Sequence, residues 1–213
     1  MRIGILGTGD VGRALANAFL ALGHDVKMGS REPANPKATA WATEAGPKAS
    51  AGTFADAAEF GELVVLATLG AAADSVLRAA GPDRLAGKIV IDTTNPLDMS
   101  AGFPKLSVGH TDSGGEQVQR LLPEALVVKA FNTVGNPLMF RPDLPGGPPD
   151  MFICGNDDDA KKKVSELLDD FGWGVIDIGG IEGSRHLEPM CIVWVAHGFR
   201  SGSWTHAFKL LRR

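Results

Sequence analysis

The sequence predicts an α/β protein with a doubly wound, mostly parallel sheet and a short C-terminal helical segment. Short apolar runs, typical of parallel strands covered on both faces, alternate with segments of helical periodicity along most of the 213 residues. The chain is 44% hydrophobic and 22% charged, which is ordinary for a folded domain of this length. A glycine-rich turn follows the first apolar run directly, as in βα units whose crossovers are right-handed.

The first βα unit carries the strongest local signal. A strand at 2–6 is followed by Gly-Thr-Gly-Asp-Val-Gly at 7–12 and by a helix that Gly23 ends. Strand, glycine turn and helix in this order are the context of a Rossmann dinucleotide fingerprint. Gly7 permits the tight turn, Gly9 lets the backbone approach a pyrophosphate, and Gly12 lets helix and strand pack closely. We expect the phosphates at the helix N-terminus.

The end of the second strand, predicted at 25–28, indicates which dinucleotide binds. An NAD site would place an acidic residue there to hold the ribose hydroxyls, but Ser30 and Arg31 follow the strand instead. Asp25 lies at the wrong end, and Glu32 comes after the arginine. A serine hydroxyl and a guanidinium fork suit a 2′-phosphate, so the sequence predicts NADP. The alternative, a glycine-rich turn beside a surface arginine, explains neither the spacing nor the missing acid.

The remaining elements are predicted in order from local signals. Thr53 is a typical N-cap, Gly81-Pro82 stops a helix, and five prolines make 137–150 a loop or boundary. The predicted strands lie at 49–51, 63–67, 88–92, 126–130, 151–154 and 174–178, and the predicted helices at 37–45, 53–60, 71–80, 116–122 and 157–171. From Ser184 onward an apolar helix or helix pair is expected to reach the C-terminus.

Short polar side chains follow three of the predicted strands. They stand in Thr68-Leu69-Gly70, Thr93-Thr94-Asn95-Pro96 and Phe131-Asn132-Thr133. Because ligands of such sheets bind at the carboxyl ends of the strands, these residues are candidates for holding a ribose and a carboxamide. Asn132 is a candidate for contact with the nicotinamide or the second substrate. Each residue also has an ordinary structural interpretation, since threonine can end a strand and Asn-Pro can start a turn.

Composition excludes several classes of function. A net charge of −4 without a long basic run argues against a nucleic-acid partner. No apolar run approaches membrane-spanning length, and a strand starting at residue 2 leaves no room for a secretory leader, so we expect a cytoplasmic protein without membrane insertion. Cys154 and Cys191 are far apart and lack metal-ligand spacing. We expect free thiols, no disulfide and no metal.

Four motifs resemble one family over nearly the whole chain. They are Met28-Gly29-Ser30-Arg31, Val128-Lys129-Ala130-Phe131-Asn132-Thr133, Phe152-Ile153-Cys154-Gly155-Asn156-Asp157-Asp158 and Ser184-Arg185-His186-Leu187-Glu188-Pro189. The family is that of the NADPH-dependent reductases of the deazaflavin coenzyme F420. The same fold recurs as the cytosolic domain of six-transmembrane metalloreductases, which pass electrons from NADPH to a flavin.

The resemblance implies a set of cofactor-binding residues. With the strand-end candidates, the set is Gly7, Thr8, Gly9, Asp10, Val11, Ser30, Arg31, Lys37, Thr68, Leu69, Thr93, Asn95 and Asn132. Lys37 is the weakest, because Pro-Ala-Asn-Pro before it shifts its spacing. Two departures lie near the second substrate: Asn132-Thr133-Val134 replaces His-Thr-Ile, and the loop 141–150 is unusually rich in proline and glycine.

The implied function is that of an NADP-dependent oxidoreductase transferring a hydride between NADPH and a deazaflavin or flavin. Such a step needs orientation and water exclusion rather than a catalytic side chain, and none is predicted. Residues 1–180 would form the dinucleotide-binding domain, and 181–213 the helical segment that completes the acceptor site. Within it, Arg185 and Glu188 are expected to pair at i,i+3, and Trp194 and Trp204 favour a homodimer.

Two alternatives stay open from the sequence. One is a non-catalytic NADP-binding module that senses redox state or delivers electrons. The other is a small imine or β-hydroxyacid dehydrogenase. That class has a longer helical domain with a catalytic lysine, for which the residues after Gly180 leave little room.

Overall fold

A computed structural model describes residues 1–100 and 102–211. Its strands, in chain order, are β1 (Arg2–Leu6), β2 (Asp25–Ser30), β3 (Ala49–Thr53), β4 (Leu63–Leu66), β5 (Ile89–Asp92), β6 (Leu97–Asp98), β7 (Lys105–Leu106), β8 (Leu126–Lys129), β9 (Asp150–Gly155) and β10 (Gly174–Asp177). Its helices are α1 (Asp10–Ala21), α2 (Pro36–Ala45), α3 (Phe54–Phe60), α4 (Ala73–Ala80), α5 (Gly114–Leu121), α6 (Asp158–Asp170) and α7 (Ser184–Ser201).

Eight of these strands form one sheet in the order β10-β9-β8-β5-β4-β1-β2-β3, while β6 and β7 make a separate hairpin. The pairs from β8 to β3 are all parallel. Within this sheet, as far as the chain is described, β8 and β9 are the strands that pair antiparallel, with Lys129 opposite Cys154. The predicted doubly wound, mostly parallel sheet is therefore confirmed. The strand order reverses at β1, which lies between β2 and β4, and the carboxyl ends of these strands frame a crevice.

Helices cover both faces of the sheet, which explains the continuous apolar strands. One core is formed against α1, α2 and α6, with Phe19, Trp41 and Phe171 at its centre. The other includes Leu77 of α4 and Leu187 of α7. Each fully buried side chain of this size contributes about 1.5–3 kcal/mol relative to exposure. The two cores therefore lie on opposite faces of the sheet and bury its strands between them.

Local signals placed several boundaries correctly. Thr53 forms the expected N-cap, accepting a hydrogen bond from Asp56 N at 3.1 Å, while the Asp56 carboxylate accepts one from Thr53 N at 2.8 Å. Asp157 caps α6 in the same way, accepting from Ala160 N at 2.7 Å. No helix among the described residues has both the length and the apolar character needed to cross a membrane.

The C-terminal segment differs from its prediction. The helix α7 ends at Ser201, Gly202 follows with a φ of 68°, and residues 203–211 are not helical. This tail lies against the proline-rich loop, because Asp150 N donates to Phe208 O at 2.9 Å and Leu210 N donates to the Asp150 carboxylate at 2.7 Å. The expectation of a helix reaching the C-terminus is therefore wrong beyond Ser201, and residues 212–213 lie outside the described part.

Candidate dinucleotide site

A cleft of about 510 Å³ opens at the point where the strand order reverses. Its walls follow the carboxyl ends of β1, β2 and β4, the position where sheets of this kind bind ligands. The lining residues are Gly7, Thr8, Gly9, Asp10, Val11, Ser30, Arg31, Asn35, Phe54, Ala67, Thr68, Leu69 and Asn136. Nine of the thirteen residues predicted from the sequence are therefore together in one cleft.

The three glycines of the turn have different surroundings, and only Gly7 and Gly12 are required by the packing of the protein itself. Gly7 has a φ of 140°, and a Cβ there would lie 2.0 Å from Ala67 O. A Cβ at Gly12 would lie 2.6 Å from Gly7 O, so glycine is required where α1 packs on the strand. A Cβ at Gly9 would meet no heavy atom of the described residues within 4 Å, and its φ of −78° is an ordinary one. The space above Gly9 is therefore left open.

The N-terminus of α1 faces this open space. Gly9 is its N-cap, and within the described part of the chain no side chain accepts a hydrogen bond from the first N–H groups of the helix. Free N–H groups at a helix N-terminus, reinforced by the helix dipole, bind phosphate well. The cradle above Gly9 therefore fits a pyrophosphate, which is the group that the fingerprint predicts.

Ser30 and Arg31 form the far end of the cleft. Ser30 is the last residue of β2 and is buried, and its hydroxyl donates to Glu32 O at 2.5 Å. Arg31 is exposed and lines the cleft, and among the described residues it forms no salt bridge. An unpaired guanidinium beside a buried serine suits a phosphate. To donate to a phosphate oxygen, the Ser30 hydroxyl must first rotate away from Glu32 O.

Asn35 is a cleft residue that the sequence analysis missed, whereas Lys37 is a predicted residue that lies outside the cleft lining. Asn35 lines the cleft, and its Oδ1 accepts from Lys37 N at 3.0 Å and Ala38 N at 3.2 Å as the N-cap of α2. Lys37 is exposed and lies outside the lining. The Asn-Pro pair before the helix was a recognisable N-cap signal. Phe54 and Asn136 also line the cleft, and no sequence motif pointed to them.

The strand-end candidates divide into two groups. Thr68 and Leu69 line the cleft, and Leu69 is 80% exposed. Thr93 does not line it, because its buried hydroxyl donates to Leu66 O at 3.0 Å. Asn132, only 3% exposed, donates through Nδ2 to Asn95 Oδ1 at 3.0 Å and to Leu187 O at 2.9 Å.

Both amide protons of Asn132 are thus used inside the protein, while its buried Oδ1 has no hydrogen-bond partner among the described residues, so direct contact of Asn132 with a ligand stays a prediction. Asn95 belongs to the same bridge, with Nδ2 donating to Asn132 O at 2.8 Å. It is half-buried and lies outside the cleft lining. Polar residues at this part of the edge therefore bind one another.

The expected pair between Arg185 and Glu188 is also wrong. Arg185 Nε donates to Glu116 Oε2 at 2.8 Å, and this pairing lowers the pKa of Glu116. Glu188 is buried and its Oε1 lies 3.1 Å from Lys129 Nζ. The i,i+3 spacing brought the two residues onto one helix, but tertiary partners were stronger than the local one.

A second cleft of about 480 Å³ lies between α4 and α5. Its rim carries two exposed ion pairs, Arg78 with Asp74 at 2.8 Å and Arg120 with Asp112 at 2.8 Å. The Arg120 guanidinium lowers the pKa of Asp112 to about 2. None of the thirteen predicted cofactor-binding residues lines this cleft, although Gly70, Thr94 and Pro96 from the strand-end segments do.

The fold and the cleft are those of a Rossmann-type dinucleotide-binding protein, and comparison with known proteins places the chain among NADP-dependent oxidoreductases. The family model described as "NADP oxidoreductase coenzyme F420-dependent" matches residues 2–96. An F420-dependent NADP reductase of Methanocaldococcus jannaschii is 35% identical over 201 residues, covering 89% of each chain. The chain belongs to this family of F420-dependent NADP oxidoreductases, which confirms the resemblance that the sequence motifs indicated.

Two further relatives extend the comparison. Metalloreductase STEAP3 of Rattus norvegicus is 34% identical over 194 residues, but the chain spans only 36% of its length. A solved structure from Arthrobacter sp. FB24, described as a candidate F420-dependent NADP reductase, is 43% identical, with a TM-score of 0.93 over 99% of both chains. A reductive aminase from Aspergillus terreus, at 21% identity and a TM-score of 0.67, shares the fold alone.

Proposed function

We propose that this chain binds NADP in the cleft and exchanges a hydride between NADPH and a deazaflavin or flavin-type acceptor. The observation that carries the choice of cofactor is Arg31, exposed and without a salt-bridge partner among the described residues, beside buried Ser30 at the end of β2. No acidic residue stands there to hold a 2′-hydroxyl. The open space above Gly9 supports the placement of the pyrophosphate.

Each wall of the cleft has a separate task in this proposal. Main-chain N–H groups from Thr8 to Val11 hold the pyrophosphate at the N-terminus of α1. Ser30, Arg31 and Asn35 surround the 2′-phosphate, with Asn35 offering Nδ2 because its Oδ1 caps α2. Lys37, although not part of the lining, stands on the first turn of the same helix.

The nicotinamide end lies towards Thr68, Leu69 and Asn136. When bound, NADPH supplies the hydride from its own ring, so the protein contributes orientation and exclusion of water rather than an acid or base. Thr93, Asn95 and Asn132 support this end from behind, through hydrogen bonds inside the protein.

The acceptor is proposed to approach beside α7, so that residues 1–180 bind the dinucleotide and 181–213 complete the acceptor site. The packing of Trp194 supports this division, because a Cβ at Gly135 would lie 3.1 Å from the Trp194 ring. Gly135 precedes Asn136, which lines the cleft. The helix α7 therefore adjoins the wall at which the nicotinamide is proposed to lie.

A homodimer and a cytoplasmic location belong to the proposal as well. Trp194 is buried and donates to His206 O at 2.8 Å, so it is not the dimer contact that the sequence suggested. The exposed apolar side chains Val193, Phe199, Trp204 and Phe103 are the candidates instead. Light scattering of the purified chain tests the association.

Stopped-flow oxidation of NADPH tests the function. The chain is mixed with NADPH and, in separate experiments, with deazaflavin F420, FMN or a ferric chelate. We expect fast oxidation with the deazaflavin or the flavin, and slow oxidation with the chelate alone. Tight NADPH binding without oxidation by any of the three would contradict the hydride-transfer role and favour a non-catalytic NADP-binding module.

A further inference from the structure

Lys129, the last residue of β8, is fully buried, and its ammonium group lies against two carboxylates and one main-chain carbonyl. Nζ lies 2.8 Å from Asp92 Oδ2 and 3.1 Å from Glu188 Oε1, and it donates to Thr94 O at 2.8 Å. Burial alone would lower the pKa of Lys129, but the two carboxylates outweigh burial and raise it. The two carboxylates therefore favour the charged form of the lysine.

This buried charge cluster, defined as Asp92, Lys129 and Glu188, connects two helices with the sheet. Glu188 on α7 accepts hydrogen bonds from Gly114 N at 3.0 Å and Gly115 N at 2.9 Å, at the N-terminus of α5. These N–H groups and the helix dipole help to stabilise the second carboxylate. A Cβ at Gly115 would lie 2.8 Å from Lys129 Cε and would also collide with the Ser184 hydroxyl, so α5 packs against both β8 and α7 with no room for a side chain at this position.

A continuous path of contacts leads from the cluster to the cofactor cleft. Asp92 Oδ1 accepts from Thr94 N at 2.9 Å and from Thr94 Oγ1 at 2.7 Å, so Thr94 is held from both sides. Asn95 comes directly after Thr94 in the chain, and two hydrogen bonds join it to Asn132. A Cβ at Gly70 would lie 2.0 Å from Asn95 O, and Gly70 directly follows Leu69 in the cleft wall.

A buried lysine with two carboxylates is a costly way to fill a core, since apolar residues of similar volume would be as stable. Its geometric effect is specific, however, because charge-assisted hydrogen bonds fix the positions of the groups they join. We propose that Lys129 is a positioning residue which, through Asp92 and Glu188, fixes residues 93–96 and thereby the Leu69–Gly70 wall at the nicotinamide end of the cleft. This inference rests on the proposed NADP site.

The variant Glu188→Gln tests the proposal with two readouts that need no electron acceptor. Lys129 and Asp92 remain as a neutral buried pair, so we expect the chain to fold. Amide hydrogen exchange should accelerate in peptides covering 92–97 and 68–71, while peptides from β1 stay unchanged. The dissociation constant of NADPH should stay within about threefold, because the phosphate contacts lie on the other wall. The nicotinamide fluorescence anisotropy of bound NADPH should fall.

A matched control is Lys161→Met on α6. Lys161 also joins two carboxylates, Asp158 at 3.0 Å and Asp177 at 2.8 Å, but it lies beside β10, away from the cleft. This variant should change neither readout. If Glu188→Gln does not fold, the neutral triple variant D92N/K129M/E188Q takes its place, because neutral replacement of a whole buried cluster is tolerated better than removal of one charge.

Unchanged exchange and unchanged anisotropy in the Glu188 variant would overturn the proposal, and so would equal changes in the Lys161 control. A wild-type chain that binds no NADPH would overturn the proposed function and, with it, the role of Lys129 in cofactor positioning. In that case the exchange experiment still separates the two failures, since it reports whether the cluster holds residues 93–96 without any cofactor.

Discussion

Small and polar residues end the strands in both halves of the carboxyl edge of the sheet, but they are mostly exposed in one half and mostly buried in the other. At the ends of β1, β2 and β4, Gly9 is open, Arg31 is exposed, and Leu69 projects into solvent. At the ends of β5 and β8, Thr93 and Asn132 are buried, and their donor groups bond within the protein. One half leaves its polar and charged groups open to the cleft, and in the other half these groups form hydrogen bonds that hold the structure together.

The difference teaches that a polar residue after a strand has two possible tasks. An exposed group without a partner can bind a ligand at little cost to folding. A buried group must be satisfied internally, because leaving it unpaired costs about 1–3 kcal/mol. Substitutions in the first half should therefore change binding, and substitutions in the second half should change stability and geometry.

The largest expected effect is at the glycine turn. Gly9→Val places a branched side chain in the open cradle, at a φ of −78° that valine adopts easily. We expect NADPH binding to vanish while circular dichroism and Tm stay close to wild type. The matched change Gly7→Val puts a Cβ 2.0 Å from Ala67 O at a φ of 140°, and it should prevent folding. Unfolding of the Gly9 variant would contradict the assignment of its space to a ligand.

A smaller effect, on stability, is expected at Asn132. Asn132→Ala removes the bonds to Asn95 and Leu187 O and leaves buried acceptors unpaired. We expect the free energy of unfolding to fall by about 2–4 kcal/mol, measured by urea titration. Under native conditions the affinity for NADPH should change far less than in the Gly9 variant. A stable Asn132 variant that has lost NADPH binding would instead support direct contact of this side chain with the cofactor.

Much of the fold was predictable because its signals are local. The capping box at Thr53, the apolar strands and the glycine fingerprint each depend on neighbours in sequence. The conformation of the C-terminal tail was not predictable. Residues 203–211 are held by hydrogen bonds to Asp150, which lies far away in sequence. An apolar, tryptophan-containing stretch has the same composition whether it is helical or laid against a loop.

The sequence predicted those cleft residues whose place is set by the glycine fingerprint and by the end of the second strand. Gly7, Gly9 and Arg31 follow from the motif alone. Asn132 and Asn35 do not, because burial decides whether an amide faces a ligand or a neighbouring strand. Likewise, the sequence placed Glu188 beside Arg185, whereas the charge of Lys129, 59 positions away, determines its partner.

The central claim is that the open half of the edge recognises the 2′-phosphate of NADP. Comparing two proteins, each with two dinucleotides, tests this claim most directly. Calorimetric titration measures the affinities of the wild-type chain and of Arg31→Ala for NADPH and for NADH. Charge-assisted hydrogen bonds contribute about 1.5–3 kcal/mol, so the variant should lose roughly ten- to a hundredfold in NADPH affinity. Its affinity for NADH, which has no 2′-phosphate, should be nearly unchanged. Equal losses for both dinucleotides would contradict the claim and show that Arg31 supports the fold or the adenine instead.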